Sequence, residues 1–123
     1  MSLDESKIKT IFCDLDGVVF EHREKGKNSI HQPILPGVKE KFKEWNDKNY
    51  HIILTTARNH TLKQMTEECL MYHELKYNDL IMNIGSGQRI LINDMKPYEG
   101  WENEPTAIGI NIKRDEGLIN VAH

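Results

Sequence analysis

Apolar residues along this chain fall into short unbroken runs, and only two segments repeat them at helical spacing. Ile8, Thr10, Ile11, Phe12 and Cys13 form a β-rich run that stops at Asp14-Leu15-Asp16-Gly17, the pattern of a buried strand ending in a polar turn. Residues 21–33 are polar, include Gly26 and read as an exposed loop or hairpin tip. Pro36-Gly37 opens a predicted helix whose apolar side is Val38, Phe42 and Trp45, and residues 46–49 end it. A second buried strand spans His51 to Thr56, followed by Ala57-Arg58-Asn59 and a helix from about Thr61 to His73, with Leu62, Met65, Cys69 and Tyr72 on its core side. A third strand is predicted at Leu80 to Ile84, a tight turn at Gly85-Ser86-Gly87, a fourth strand from Arg89 to Asn93 stopping at Asp94, and a fifth from Ala107 to Ile112.

Continuous rather than alternating apolar strands, interleaved with helices, predict an α/β fold: a mainly parallel sheet covered on both faces, three-layer and Rossmann-like. A length of 123 residues predicts a single domain, 1–123, and 38% hydrophobic with 28% charged residues matches an ordinary globular chain. The net charge of -3 advertises neither a nucleic-acid nor an anionic-membrane partner. Cys13 and Cys69 lie far apart in apolar or helical surroundings, which fits free thiols in a reducing cytoplasm. Met1-Ser2-Leu3 is set aside from the fold argument; residues 1–7 carry no apolar signal segment, and secretion and membrane insertion are not expected.

In a parallel sheet the ligand crevice lies at the carboxyl ends of the strands. The first predicted strand ends in Asp14 and Asp16, the second in Thr55 and Thr56, the fourth in Asn93 and Asp94. Asp14 and Asp16 are two positions apart, so both project to one side while Leu15 points into the core. Paired carboxylates repel unless a proton or cation lies between them, and an all-oxygen set of Asp14, Asp16 and Asp94 suits Mg²⁺. A magnesium ion beside a carboxylate points to phosphoryl chemistry, with Asp14 as nucleophile, Asp16 as general acid and base, and Thr56 donating to a phosphoryl oxygen.

Ile11-Phe12-Cys13-Asp14-Leu15-Asp16-Gly17-Val18-Val19 resembles the first motif of the haloacid dehalogenase superfamily of phosphatases, a hydrophobic run followed by D-x-D-G-[TV]. Ile52-Ile53-Leu54-Thr55-Thr56 is similar to the second motif, Ala57-Arg58 to the arginine that follows it in several members, and Leu91-Ile92-Asn93-Asp94 to the fourth. The resemblance runs from about Ile8 to Ile112. It implies a five-stranded sheet of order 3-2-1-4-5, a Mg²⁺ cofactor, an aspartyl-phosphate on Asp14 and a phosphorylated small-molecule or macromolecular substrate such as a sugar phosphate, nucleotide or other bulky phosphoester. The intervals between motifs are too short for a cap domain, which implies an open site unless a homo-oligomeric neighbour covers it.

The chain departs from the family at the third motif, where Asn83 to Arg89 contain no matching lysine. Arg89, Lys96 and Lys76 are the alternatives for that phosphate-neutralising cation, with Arg89 and Lys96 better placed in sequence. A non-catalytic relative and a receiver-like phosphate-binding module are the alternative readings. Lys96-Pro97 suits a receiver, but the central strand ends in Thr55-Thr56 where a receiver needs an aspartate. Arg58 has two readings of equal weight, a structural ion pair or a contact to a substrate anion.

Overall fold

The computed structural model describes residues 8–123; the segment set aside above lies outside the described residues. Three strands form a parallel sheet in the order β1-β2-β3: β1 Thr10–Asp14, β2 His51–Thr55 and β3 Asp79–Ile81. Asp14 sits opposite Thr55 in the β1–β2 register, and Thr55 opposite Ile81 in the next pair. The carboxyl ends of all three strands therefore lie together.

Helix α1, Val38–Asp47, buries Val38, Phe42 and Trp45, the three positions expected from the spacing. Full burial of such side chains stabilises the fold by roughly 1.5–3 kcal/mol each. The helix ends in a Schellman turn: Asn49 takes φ 60°, its N–H bonds to the Asn46 carbonyl, and the Tyr50 N–H reaches back to the Trp45 carbonyl. The second predicted helix divides into a 3₁₀ turn, His60–Leu62, capped by the Asn59 side chain, and α2, Lys63–Tyr72. Glu74 at φ 57° closes α2 in the same way, with the Leu75 N–H on the Leu70 carbonyl.

Each βαβ crossover is right-handed by strand chirality, so successive crossovers in one direction lay α1 and α2 on one sheet face. Ile52, Leu54, Cys13 and Leu80 point into that layer and cluster with Val38, Phe42, Trp45, Cys69 and Leu70. The opposite face carries Phe12, 57% exposed, and Ile81, 41% exposed. Among the described residues the sheet thus has one helical layer where two were expected. Tyr72, expected in the core, is exposed and packs edge-on against His31 and His73. Gln32, in the segment read as an exposed loop or hairpin tip, is fully buried.

The fourth and fifth predicted strands do not form within the described chain. After β3 the Ile84 N–H bonds to the Thr56 carbonyl and the Asn83 N–H to the Arg58 carbonyl, which pins residues 83–84 at the carboxyl end of β2. Residues 85–112 then run out as an exposed arm, with Ile90 80%, Ile92 89% and Ile108 55% exposed. The arm doubles back where Thr106 Oγ1 donates to the Asp94 carbonyl. The chain rejoins the body at Asp115, whose N–H bonds to the Gly17 carbonyl at 2.8 Å. The tail seals α1, with the Trp45 indole N–H on the His123 carbonyl at 3.0 Å. Among the described residues the expected order 3-2-1-4-5 is therefore seen only as 3-2-1, with β1 at the edge. Among the described residues no helix is long and apolar enough to cross a membrane.

Candidate active site

Past Asp14 the chain turns so tightly that the Leu15 carbonyl accepts the N–H groups of Val18, Val19 and Phe20 at 2.8–3.2 Å. Gly17 makes this possible at φ 87°, in the left-handed region, where a Cβ would also lie 3.3 Å from Arg114 Cγ. Leu15 is fully buried, while Asp14 and Asp16 face outward at the carboxyl end of β1, as their spacing predicted.

Asp16 is gripped by Arg58. The guanidinium donates from Nε to both carboxylate oxygens, at 3.2 and 3.0 Å, and from Nη2 to Oδ1 at 2.8 Å. The arginine side chain is almost wholly buried and the aspartate one-quarter exposed. Its remaining donors go to Thr66 Oγ1 at 2.9 Å and Gln32 Oε1 at 3.2 Å, and its charge lies over the Phe20 ring at 5.4 Å. A planar fork held at all three of its nitrogens is a fixed strut rather than a mobile anion receptor, which favours the ion-pair reading of Arg58.

Thr56 is fully buried; its hydroxyl donates to Asp16 Oδ2 at 3.4 Å and accepts from the Arg58 N–H at 3.1 Å. Thr55, half-buried and in register with Asp14, is the hydroxyl-bearing residue nearer the surface. Asp14 Oδ1 accepts the Leu15 N–H at 3.0 Å. Loss of water raises its pKa above the ordinary carboxylate value and the Asp16 charge acts in the same sense, while the Leu15 N–H and the Arg89 charge oppose the rise. Arg89 is thus the predicted cation that is electrostatically coupled to Asp14.

Asp94 and Lys96 lie on the exposed arm and pair with each other at 2.8 Å, which holds the Asp94 carboxyl below its usual pKa. Among the described residues no three acidic, histidine or cysteine side chains form a metal-binding group, so Asp94 is not beside Asp14 and Asp16. The structure brings together Asp14, Asp16 and Thr56, with Arg89 coupled to Asp14. Gln32 and Thr66 went unread in the sequence, since nothing in a loop glutamine or a helix threonine announces a partner 26 or 8 positions away.

No family model matches the chain, and no curated protein matches it. Among solved structures, a Pnkp1/Rnl/Hen1 complex is similar with a TM-score of 0.57 and 24% identity, over 73% of this chain and 33% of that one. The D,D-heptose 1,7-bisphosphate phosphatase of B. bronchiseptica, complexed with magnesium and phosphate, is similar with a TM-score of 0.53 and 18% identity, over 64% and 52%. A Vibrio cholerae protein gives a TM-score of 0.53 at 18% identity, over 72% and 82%. The chain spans a third of the first of these chains and about half of the second. These likenesses show the fold, a parallel α/β sheet of the haloacid dehalogenase-like kind.

Proposed function

We propose that the chain is a phosphomonoester hydrolase working through an aspartyl-phosphate. The observation that carries this reading is the Arg58 fork on Asp16, which fixes one carboxylate two residues from a second at the carboxyl end of a parallel sheet. Asp14 attacks phosphorus and the bond to the leaving oxygen breaks, while Asp16 gives that oxygen a proton. Asp16 then takes a proton from the water that attacks the aspartyl-phosphate, releasing phosphate and restoring Asp14. Arg58 and Thr56 hold Asp16 in orientation, and Arg89 supplies positive charge beside Asp14.

The donors present are hard oxygens, the Asp14 carboxylate and the Asp16 backbone carbonyl, which suit Mg²⁺, with Asp94 as the further carboxylate required. Bound there, the ion would neutralise the repulsion between nucleophile and phosphate. A sugar-phosphate substrate is in line with the heptose bisphosphate phosphatase, and a polynucleotide end with the structure described as an RNA repair complex.

The test is phosphate release from an aryl phosphate, sugar phosphates, nucleotides and phosphorylated oligonucleotides, with Mg²⁺ or EDTA. The expected result is metal-dependent turnover that falls at least ~1000-fold in Asp14→Asn with circular dichroism unchanged. An Asp14→Asn protein as active as the unaltered chain refutes the mechanism.

A further inference from the structure

The outward run of the arm, residues 89–94, ends in the carboxylate that the proposed hydrolase needs and that lies away from Asp14 and Asp16. Asp94, exposed and with its carboxylate paired to Lys96, follows an apolar run in which Ile90, Leu91 and Ile92 are 80, 56 and 89% exposed. Meanwhile β1 has no neighbour on its outer edge among the described residues, and Phe12 beside that edge is 57% exposed. An open strand edge and an unpaired apolar segment in one molecule are complementary surfaces.

The chain cannot join them to each other. To place Asp94 beside Asp14, residues 89–94 must run parallel to β1, starting at its amino end. Parallel strands need a crossover of a dozen or more residues. Residues 83–84 are tied to the carboxyl end of β2, and only 85–88 separate them from Arg89. The five steps from Ile84 to Arg89 reach at most about 18 Å, whereas the way from the level of Thr56, where Ile84 is tied, to a place beside Lys9 is about 20 Å of strand before any turn is made. An antiparallel pairing within the chain is short enough but carries Asp94 to the wrong end of the sheet.

A second copy meets neither limit. We propose that two copies exchange arms, so that residues 89–94 of each chain extend the sheet of the other beside β1 and bring Asp94 to the other's Asp14 and Asp16. With the two bodies side by side and head to tail, the carboxyl end of one sheet lies by the amino end of the other. An arm leaving the first then runs the right way along β1 of the second. The return segment 107–112 retraces that path to Asp115 on its own body, as the Asp94–Thr106 contact at the far end requires. The interface is isologous and closes as a dimer. The role given to Asp94 rests on the proposed hydrolase; the exchange of arms does not.

Light scattering on the full chain tests the association, and one double variant, Phe12→Cys with Ile92→Cys, which face each other when Asp94 lies beside Asp14, tests the exchange without reference to activity. Exchange gives twice the chain mass in solution and, on oxidation, a disulfide-linked dimer on a non-reducing gel. A monomeric mass at micromolar concentration, a bridge closed within one chain, or no bridge at all overturns the proposal. Where the chain hydrolyses phosphate, co-expressed Asp14→Asn and Asp94→Asn chains add a third readout. Random pairing makes half the dimers mixed, each with one intact site of two, so activity returns to one quarter of the unaltered level. No recovery from a co-purified mixed dimer overturns delivery of Asp94 between copies.

Discussion

Replacing Arg58 with Met removes a charge from the centre of the body while keeping an unbranched stem of similar reach. Asp16 loses three charge-assisted bonds, Gln32 Oε1 loses its donor, and Thr66 keeps only its own bond to the Leu62 carbonyl. Breaking a fully buried ion pair costs about 3–5 kcal/mol, and the one-quarter exposure of Asp16 places this case at about 3 kcal/mol. For a chain of 123 residues that corresponds to a fall in Tm of roughly 10 °C. Arg58→Lys restores the charge but cannot satisfy Asp16, Thr66 and Gln32 at once, so about 2 kcal/mol is still lost. Urea unfolding of Arg58→Met, Asp16→Asn and the double variant measures the pair directly, with a coupling of at least about 1 kcal/mol expected. Losses below about 0.5 kcal/mol in both arginine variants would show that the fork on Asp16 contributes no more than a surface pair.

Gly117 sits at φ 84°, and a Cβ there would lie 2.2 Å from the Pro36 carbonyl oxygen, which already accepts the Leu118 N–H. Gly117→Ala should therefore cost more than about 2 kcal/mol in urea unfolding, whereas Gly26→Ala, at a similar φ with open space around it, should cost about 1 kcal/mol. Burial pushes the Cys13 thiol up to about 12 and raises that of Cys69 as well. Neither thiol should react with an aromatic disulfide at pH 8 until urea opens the fold, and rapid labelling of the native chain would contradict their placement.

The body of the fold was legible because its signals are local. Val38, Phe42 and Trp45 announce one face of α1, and the unbroken runs at 10–13 and 52–54 announce buried strands. Asp14-Leu15-Asp16-Gly17 announced its own turn, since two outward acids around one buried leucine follow from strand alternation. The arm misled because apolar runs predict that a segment will be a strand without saying where its neighbour is. Residues 89–92 carry a strand's pattern, but the four residues before them leave no room to reach β1 of the same chain. The end of α2 was placed to within a residue, although Glu74 occupies a left-handed position that sequence assigns to Gly or Asn, whereas the separate 3₁₀ turn at its start carries no signal of its own. Arg58 was visible, but its partners Gln32 and Thr66 meet it only through tertiary packing.

The loop between β1 and α1 is fastened at its neck. The Glu21 N–H bonds to the Pro33 carbonyl, Gln32 Nε2 donates to the Glu21 carbonyl at 2.7 Å, and the Gln32 carbonyl contacts His73 Nε2 at 2.7 Å. Beyond the neck, Gly26 meets nothing within 4 Å of where a side chain would begin. Inserted chain at this tip would leave the knot untouched, and each doubling of loop length costs only about 0.6 kcal/mol in closure entropy. The fold therefore holds a ready port beside its acidic pair, where added sequence can alter access to the site without renegotiating the core.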